Sequence, residues 1–334
     1  MSDRTGQMVV DRYEAALFDL DGVVYLGPAP VAGAPEGIQQ LKEHGTRLGY
    51  VTNNAARKPQ VVVDQLTALG VPAEISDVVT SAQAGARMLA EELAPGSNVL
   101  VVGTQALADE VAAVGMRPVW TSNEEPAAVI QGYDPQMTWP RLDDACLAVQ
   151  RGARWFATNT DSTRPTDKGL VPGAGAQIAA VQATVKVTPQ VAGKPCPPLL
   201  LETMRRIGTE RAIFVGDRLD TDVMGAVAVQ MDSLFVFTGA HGKHDLLSAD
   251  EDSRPSHIGY DLRALLAPAR EAVVDQDSCT VNGQTATWSD DTVTLAAVPA
   301  EREQQLDALW AVLQLVWSHP GAAAPVVDEL TLLP

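Results

Sequence analysis

Short apolar runs that each end in polar residues recur along this chain, with room for one helix between successive runs, and this rhythm restricts the fold more than any other feature. Runs at residues 15–20, 48–52 and 78–80 alternate with helical stretches at 37–44, 59–69 and 82–93. The pattern resumes with a helix at 198–207, a strand at 212–216, a helix at 221–229 and a strand at 233–237. Apolar strands alternating with helices indicate an α/β, doubly wound, Rossmann-like parallel sheet with helices on both faces. Open sheets of this kind bind ligands beyond the carboxyl ends of their strands, which is where the polar clusters fall.

Those clusters carry the chemistry. The run 15–20 leads into Phe18-Asp19-Leu20-Asp21-Gly22. Alternation along an extended segment puts Asp19 and Asp21 on one side, and two carboxylates so placed repel unless a cation lies between them. The pair therefore predicts a hard, oxygen-liganded metal such as Mg²⁺. The second run ends in Thr52-Asn53-Asn54, a hydroxyl and two amides suited to phosphate oxygens, and suited equally to capping the helix that follows. Val191-Ala192-Gly193-Lys194-Pro195 presents one lysine between residues that restrict the backbone, and Gly216-Asp217-Arg218-Leu219-Asp220-Thr221-Asp222 runs from a strand straight into an acidic loop.

The interval between Thr52 and Lys194 is too long for a loop and has signals of its own, with strands at 99–103, 127–131 and 155–159 and a helix at 105–113. Residues 84–188 are therefore expected to form an inserted α/β cap domain between core segments 1–83 and 189–267. Beyond residue 267 the texture changes. Strand-like pieces at 278–281, 286–288 and 292–295 surround an Asn282-Gly283 hairpin turn, a helix spans about 301–317 and an extended tail follows from residue 324. This α+β module, 268–334, has no chemical constellation and is assigned to packing, dimerisation or regulation.

Composition narrows the partners. A formal charge of −18 argues against nucleic acid and anionic membrane surfaces. No apolar run approaches a membrane span, the opening 1–12 is polar rather than signal-like, and a cytoplasmic location is the default. Cys146, Cys196 and Cys279 are widely spaced, which suggests neither a disulfide framework nor a zinc site.

The four polar segments, in this order, resemble the motifs of the haloacid dehalogenase superfamily of phosphotransferases and phosphatases. DxDGVVY, TNNAARKP, AGKP and GDRLDTD are similar to the NagD-type and para-nitrophenylphosphate phosphatase branch, and within it to the actinobacterial glycerol 3-phosphate phosphatases, over about residues 12–265. The resemblance implies a large α/β cap, Mg²⁺ and a small phosphorylated metabolite as partner. It implies Asp19 as nucleophile, forming an aspartyl-phosphate, and Asp21 as general acid and base with its backbone carbonyl on the metal. Dehalogenases lack this second aspartate and ion-pumping ATPases carry threonine there, so both activities are disfavoured.

By the same resemblance Thr52 and the Asn53 N–H hold the transferring phosphoryl group, Asn54 orients the nucleophile or touches the leaving group, and Lys194 supplies fixed positive charge. Asp217 completes the metal sphere with Asp19, Asp222 anchors the loop, Lys194 or metal-bound waters, and Asp220 is expected to be exposed. Substrate choice is expected in the cap loop 157–165 and the following 172–176, where Asp161 and Arg164 meet the leaving group or serve as turn clamps and solvated residues. Arg57 stands between phosphate capture and a surface role. The activity implied is a Mg²⁺-dependent phosphomonoesterase for a small polyol phosphate, glycerol 3-phosphate first. Phosphoglycolate, pyridoxal phosphate, nucleotide monophosphates and sugar phosphates are the rivals, and a phosphotransferase or a non-catalytic phosphate-binding regulator are the other classes. Cap-mediated dimers occur in this branch, which leaves a homodimer open.

Overall fold

The computed structural model describes residues 6–166 and 168–334, so residues 1–5 of the polar opening stretch lie outside the described residues. The chain divides into two compact units, one of residues 1–26, 30–47 and 211–334, the other of residues 27–29 and 48–210. The expected α/β class holds in both.

In the first unit the strands His257–Gly259, Asp232–Val236, Ala212–Gly216 and Ala15–Asp19 lie side by side in that order, all parallel. Phe18 pairs with Val215 and Gly216 with Phe235, so one edge carries the ends of three strands and the residues that follow them. Ala15, Ala16, Leu17 and Phe18 are fully buried, which is why their run reads as uninterrupted apolar sequence rather than as an alternating one.

The C-terminal residues belong to this unit. An antiparallel sheet of Val273–Val274, Ser278–Val281, Gln284–Ser289 and Thr292–Leu295 packs with helix Arg302–Ser318. Asn282 and Gly283 both take positive φ, as the hairpin signal requires. The helix is buried almost all round, and Leu306, Leu309 and Val312 join Leu219, Val223, Phe235 and Phe237 in one apolar cluster. The module is thus continuous with the core beneath the acidic loop and packs against it. Its tail is not extended as expected. Pro325–Glu329 forms a 3₁₀ turn, because Val326, Val327, Leu330 and Leu333 all turn inward and an extended chain would leave part of that set in water.

In the second unit residues 50–52 of the strand Arg47–Thr52 pair in parallel with Val78–Thr80, Thr52 opposite Thr80. A separate five-stranded parallel sheet has the order Gln190–Val191, Arg154–Ala157, Ala128–Gln131, Asn98–Val102 and Arg117–Val119. Helices Ser81–Glu92, Gln105–Ala113 and Pro197–Ile207 fall where the periodicity puts them. Two helices and a hairpin appear where the sequence pattern indicates a loop or carries no signal. Helix Trp139–Gln150 begins on an exposed Trp and a Pro, which hides its apolar face. Residues 172–176, read as loop, contain the start of helix Ala174–Gln182, and Thr163–Thr166 pairs with Gly169–Pro172 as a hairpin. The glycines there serve close packing rather than flexibility: a Cβ on Gly175 would sit within 3.1 Å of the Asp161 carbonyl carbon. No helix of the described residues is long and apolar enough to cross a membrane.

Candidate active site

In the first unit three carboxylates converge. The strand Ala15–Asp19 delivers Asp19 half-buried at its end, and the neighbouring strand Ala212–Gly216 ends one residue before Asp217. Asp19, Asp217 and Asp222 each offer a carboxylate oxygen, all within 4.8 Å of one another, and Asp217 and Asp222 are 2% and 1% exposed. Carboxylates so close, with two of them removed from water, repel one another, and a bound cation would offset that repulsion. Oxygens bound to one Mg²⁺ lie at most about 4.2 Å apart, so the set fits the ion after a sub-ångström closure or with one link through water. An all-oxygen donor set suits a hard dication rather than zinc or copper.

The surrounding backbone is shaped to this cluster. Residues 219–223 form a π-helical turn ahead of helix Met224–Ala228, in place of the single helix from 221 to 229 that the sequence suggested. The wider turn lets Asp222 Oδ2 accept from the Asp217 and Arg218 N–H groups, both at 3.2 Å. Asp222 therefore anchors its own loop, as expected, and also stands within the carboxylate set. Asp217 Oδ2 accepts from the Ala240 N–H at 2.7 Å. Gly22, at φ +92°, lies so close that a Cβ would meet Asp217 Oδ2 at 2.5 Å. Asp220 is exposed, as expected, and pairs with Arg218 at 2.7 Å. Burial opposes the charge on Arg218, but its bonds to Asp220 and the field of Asp222 and Asp217 outweigh that and raise its pKa.

Asp21 is exposed, one step beyond buried Leu20. The Leu20 carbonyl accepts from the Val24 and Tyr25 N–H groups at 3.0 and 3.1 Å, closing the turn that presents Asp21.

In the second unit the side chain that organises the polar residues is Asn53, of which the motif implies only a backbone role. Its Oδ1 accepts from the Lys194 N–H at 2.9 Å and its Nδ2 donates to the Lys194 carbonyl at 3.1 Å, so one amide grips both sides of the Lys194 backbone. Its own carbonyl accepts from Ser81 Oγ at 2.6 Å and Asn159 Nδ2 at 2.7 Å. Gly193 is required for this approach, since a Cβ would meet Asn53 Oδ1 and the Thr158 carbonyl, each at 2.6 Å. Lys194 itself is 2% exposed. Ser81 lies in no motif and Asn159 only within the cap loop 157–165, with no role of its own expected, because both act on Asn53, 28 and 106 positions away.

The remaining predicted residues divide. Thr52 Oγ1 accepts from the Asn54 N–H at 3.1 Å and Asn54 Oδ1 from the Ala56 N–H at 2.9 Å, so both shape the turn. The helix that follows starts at Pro59 without a side-chain cap, which removes the helix-capping alternative. Asp161 accepts from Asn53 Nδ2 at 3.3 and 3.4 Å, which favours its turn-clamp reading. Arg164 is exposed and stacks over Tyr133 at 5.0 Å, and Arg57 is tied to Gln65 at 2.7 Å. Burial pushes the Cys196 thiol up, which keeps it protonated and a poor nucleophile two residues from Lys194.

Asn53→Asp is expected to cost about 1–3 kcal/mol of stability, because it puts an acceptor against the Lys194 carbonyl and a charge against Asp161. Thermal melts of Asn53→Asp and of the double variant with Asp161→Asn check this. The double variant should recover part of the loss; a melt no higher than that of Asn53→Asp alone would disprove the coupling.

Residues 16–117 match the family profile described as haloacid dehalogenase-like hydrolase, and residues 191–265 match a second described as HAD-hydrolase-like. The chain is 46% identical over 257 residues to D-glycerol 3-phosphate phosphatase of Mycobacterium tuberculosis, covering 77% of this chain and 72% of that protein. It is 34% identical over 258 residues to acid sugar phosphatase of Staphylococcus aureus, covering 77% and 98%. Among solved structures, glycerol phosphate phosphatase from M. tuberculosis in complex with magnesium matches with a TM-score of 0.87 and 38% identity over 97% of this chain and 98% of that one. The p-nitrophenyl phosphatase from Archaeoglobus fulgidus reaches 0.71 at 26% identity over 76% and 98%.

Proposed function

Since the chain belongs to the haloacid dehalogenase-like hydrolases, we propose that it is a Mg²⁺-dependent phosphomonoesterase that releases phosphate from glycerol 3-phosphate through an aspartyl-phosphate on Asp19. The observation that carries this reading is the convergence of Asp19, Asp217 and Asp222 at the end of the parallel strands. The proposed substrate rests on the relative named D-glycerol 3-phosphate phosphatase, and on a match to glycerol phosphate phosphatase that covers 97% of this chain, where the p-nitrophenyl phosphatase covers 76% of it.

A phosphate ester is a dianion, so a carboxylate can attack it only where charge is neutralised and the reacting atoms are aligned. Asp19, Asp217 and the Asp21 carbonyl would hold Mg²⁺, which when bound neutralises phosphoryl charge; Asp222 keeps the Asp217 loop in place. The Asp19 carboxylate attacks phosphorus, the P–O bond to the alcohol breaks, and Asp21 gives the departing alkoxide its proton. Asp21 then takes a proton from the water that attacks the aspartyl-phosphate, releasing inorganic phosphate and restoring Asp19. In this reading Thr52, the Asn53 N–H and Lys194 hold the phosphoryl oxygens, and Asn54 orients the nucleophile or touches the leaving group. Asp161 and Arg164 belong to the loop and hairpin of the cap, for which limits of 84–188 are proposed, and they bear on the choice of alcohol. A cytoplasmic location accords with Cys146, Cys196 and Cys279, all free thiols.

Phosphate release from glycerol 3-phosphate, a hexose phosphate, phosphoglycolate, pyridoxal phosphate and a nucleotide monophosphate, each with Mg²⁺ or with chelator, tests the reading. The expected outcome is Mg²⁺-dependent release with the highest kcat/KM for glycerol 3-phosphate. A preference for the hexose phosphate would move the substrate toward that of the acid sugar phosphatases, and no release from any would overturn the enzyme reading.

A further inference from the structure

The loop from Thr238 to Lys243 touches the acidic cluster at one end and the last residues of the chain at the other. Thr238 Oγ1 donates to the Gly22 carbonyl at 2.5 Å, in the turn that follows Asp19 and Asp21. Ala240 N–H donates to Asp217 Oδ2 at 2.7 Å, and His241 N–H donates to the Asp217 carbonyl at 3.3 Å. His241 Nδ1 then accepts from the Leu219 N–H at 3.0 Å, so the same loop also braces the π-helical turn that carries Asp222.

Beyond Gly242 the loop becomes an anchorage for the C-terminal tail. Lys243 is 8% exposed, and its Nζ donates to the Leu330 and Leu333 carbonyls at 2.9 and 2.8 Å. Its N–H donates to the Pro334 carbonyl at 3.0 Å. The tail is in turn held by helix Arg302–Ser318, where buried Gln305 accepts from the Leu332 N–H at 2.9 Å. A buried ammonium that spends its donors on two main-chain carbonyls fixes both partners, since withdrawing either would leave a charge-assisted bond unmade.

We propose that the C-terminal module is a positioning element for the metal site, acting through Lys243 and the Thr238–Lys243 strap on the orientation of Asp217. The proposal deepens the phosphatase reading and rests on its assignment of Asp217 to the metal. The physical reason is that a carboxylate contributes to ion binding only in the rotation its outer partners allow, and the Ala240 N–H, one of the donors to Asp217, lies three residues from the tail anchorage. The module adds no reacting group and lowers the entropy the ion must overcome to order its ligands.

Mn²⁺ alone, titrated into the full-length protein and followed by electron paramagnetic resonance, reads this without turnover. Lys243→Met keeps the apolar stem and removes both carbonyl bonds. Gly242→Ala leaves Lys243 in place but brings a Cβ to 2.9 Å from the Pro334 carbonyl, displacing the tail end, and it carries the test if Lys243→Met does not fold. Both variants should bind Mn²⁺ about three- to tenfold more weakly, below the 10–100-fold typical of direct partners of a metal ligand, with kcat at saturating metal unchanged. A purely structural role would lower the melting temperature and leave the Mn²⁺ affinity alone, and that result would overturn the proposal. Asp217→Asn is the control: unchanged Mn²⁺ affinity there would overturn the metal-site reading and the coupling with it.

Discussion

Asp19→Asn is expected to lower phosphate release from glycerol 3-phosphate about 10⁴-fold or more, since an amide cannot form the acyl phosphate and loss of a nucleophile removes the step rather than slowing it. The same substitution should leave the fold intact. Ala15, Ala16, Leu17 and Phe18 set the strand by burial, while Asp19 sits half-exposed at its end and contributes no apolar area. Removing one of three converging charges should also raise the melting temperature in chelator, where no metal ion offsets the repulsion, and that advantage should shrink or reverse in Mg²⁺. Opposite effects in the two melts identify Asp19 as part of the cation site independently of turnover. Near-normal kcat, after deamidation back to aspartate is excluded, would rule out the nucleophile.

Lys194→Met should lower kcat/KM about 10²–10³-fold, the size of effect seen when a positioned electrostatic partner of a transferring group is removed. The structure explains why one lysine can matter this much. Its backbone is gripped on both sides by the Asn53 amide, its glycine neighbour has no room for a Cβ, and its side chain is 2% exposed, where salt screens little. Arginine should not rescue it, because a planar guanidinium needs more space than an ammonium in such a site. The inhibition constant of inorganic phosphate is the discriminating readout. It should weaken in Lys194→Met because the product presents the same anionic oxygens, and an unchanged constant would remove Lys194 from phosphoryl binding.

The elements that were legible share a property. The strands Ala15–Asp19, Ala212–Gly216 and Asn98–Val102 announce themselves by unbroken apolar runs, and Asn282-Gly283 by a turn preference that belongs to two residues. Helix Trp139–Gln150 does not, because Trp139 is 73% exposed and its apolar signal points to the wrong face. Glycines 173 and 175 read as a loop for a related reason. Local preference treats glycine as freedom, whereas here it answers a close approach of the Asp161 carbonyl to a helix start.

The candidate site divides along the same line. Which residues are proposed to bear the chemistry was written in short motifs, since the proposed nucleophile, the proposed acid two positions on, a lysine between Gly and Pro and an acidic loop each need only local chain to be recognised. How they are held was not. Asp222 reaches the Asp217 N–H only through a π-helical turn, Asn53 grips a lysine 141 residues away, and Lys243 binds carbonyls 87 and 90 residues further along. Reactivity is a property of side-chain type and its immediate neighbours, whereas orientation depends on groups brought together by burial of apolar surface along the whole chain, and one-dimensional order does not encode which distant carbonyl a buried donor will find.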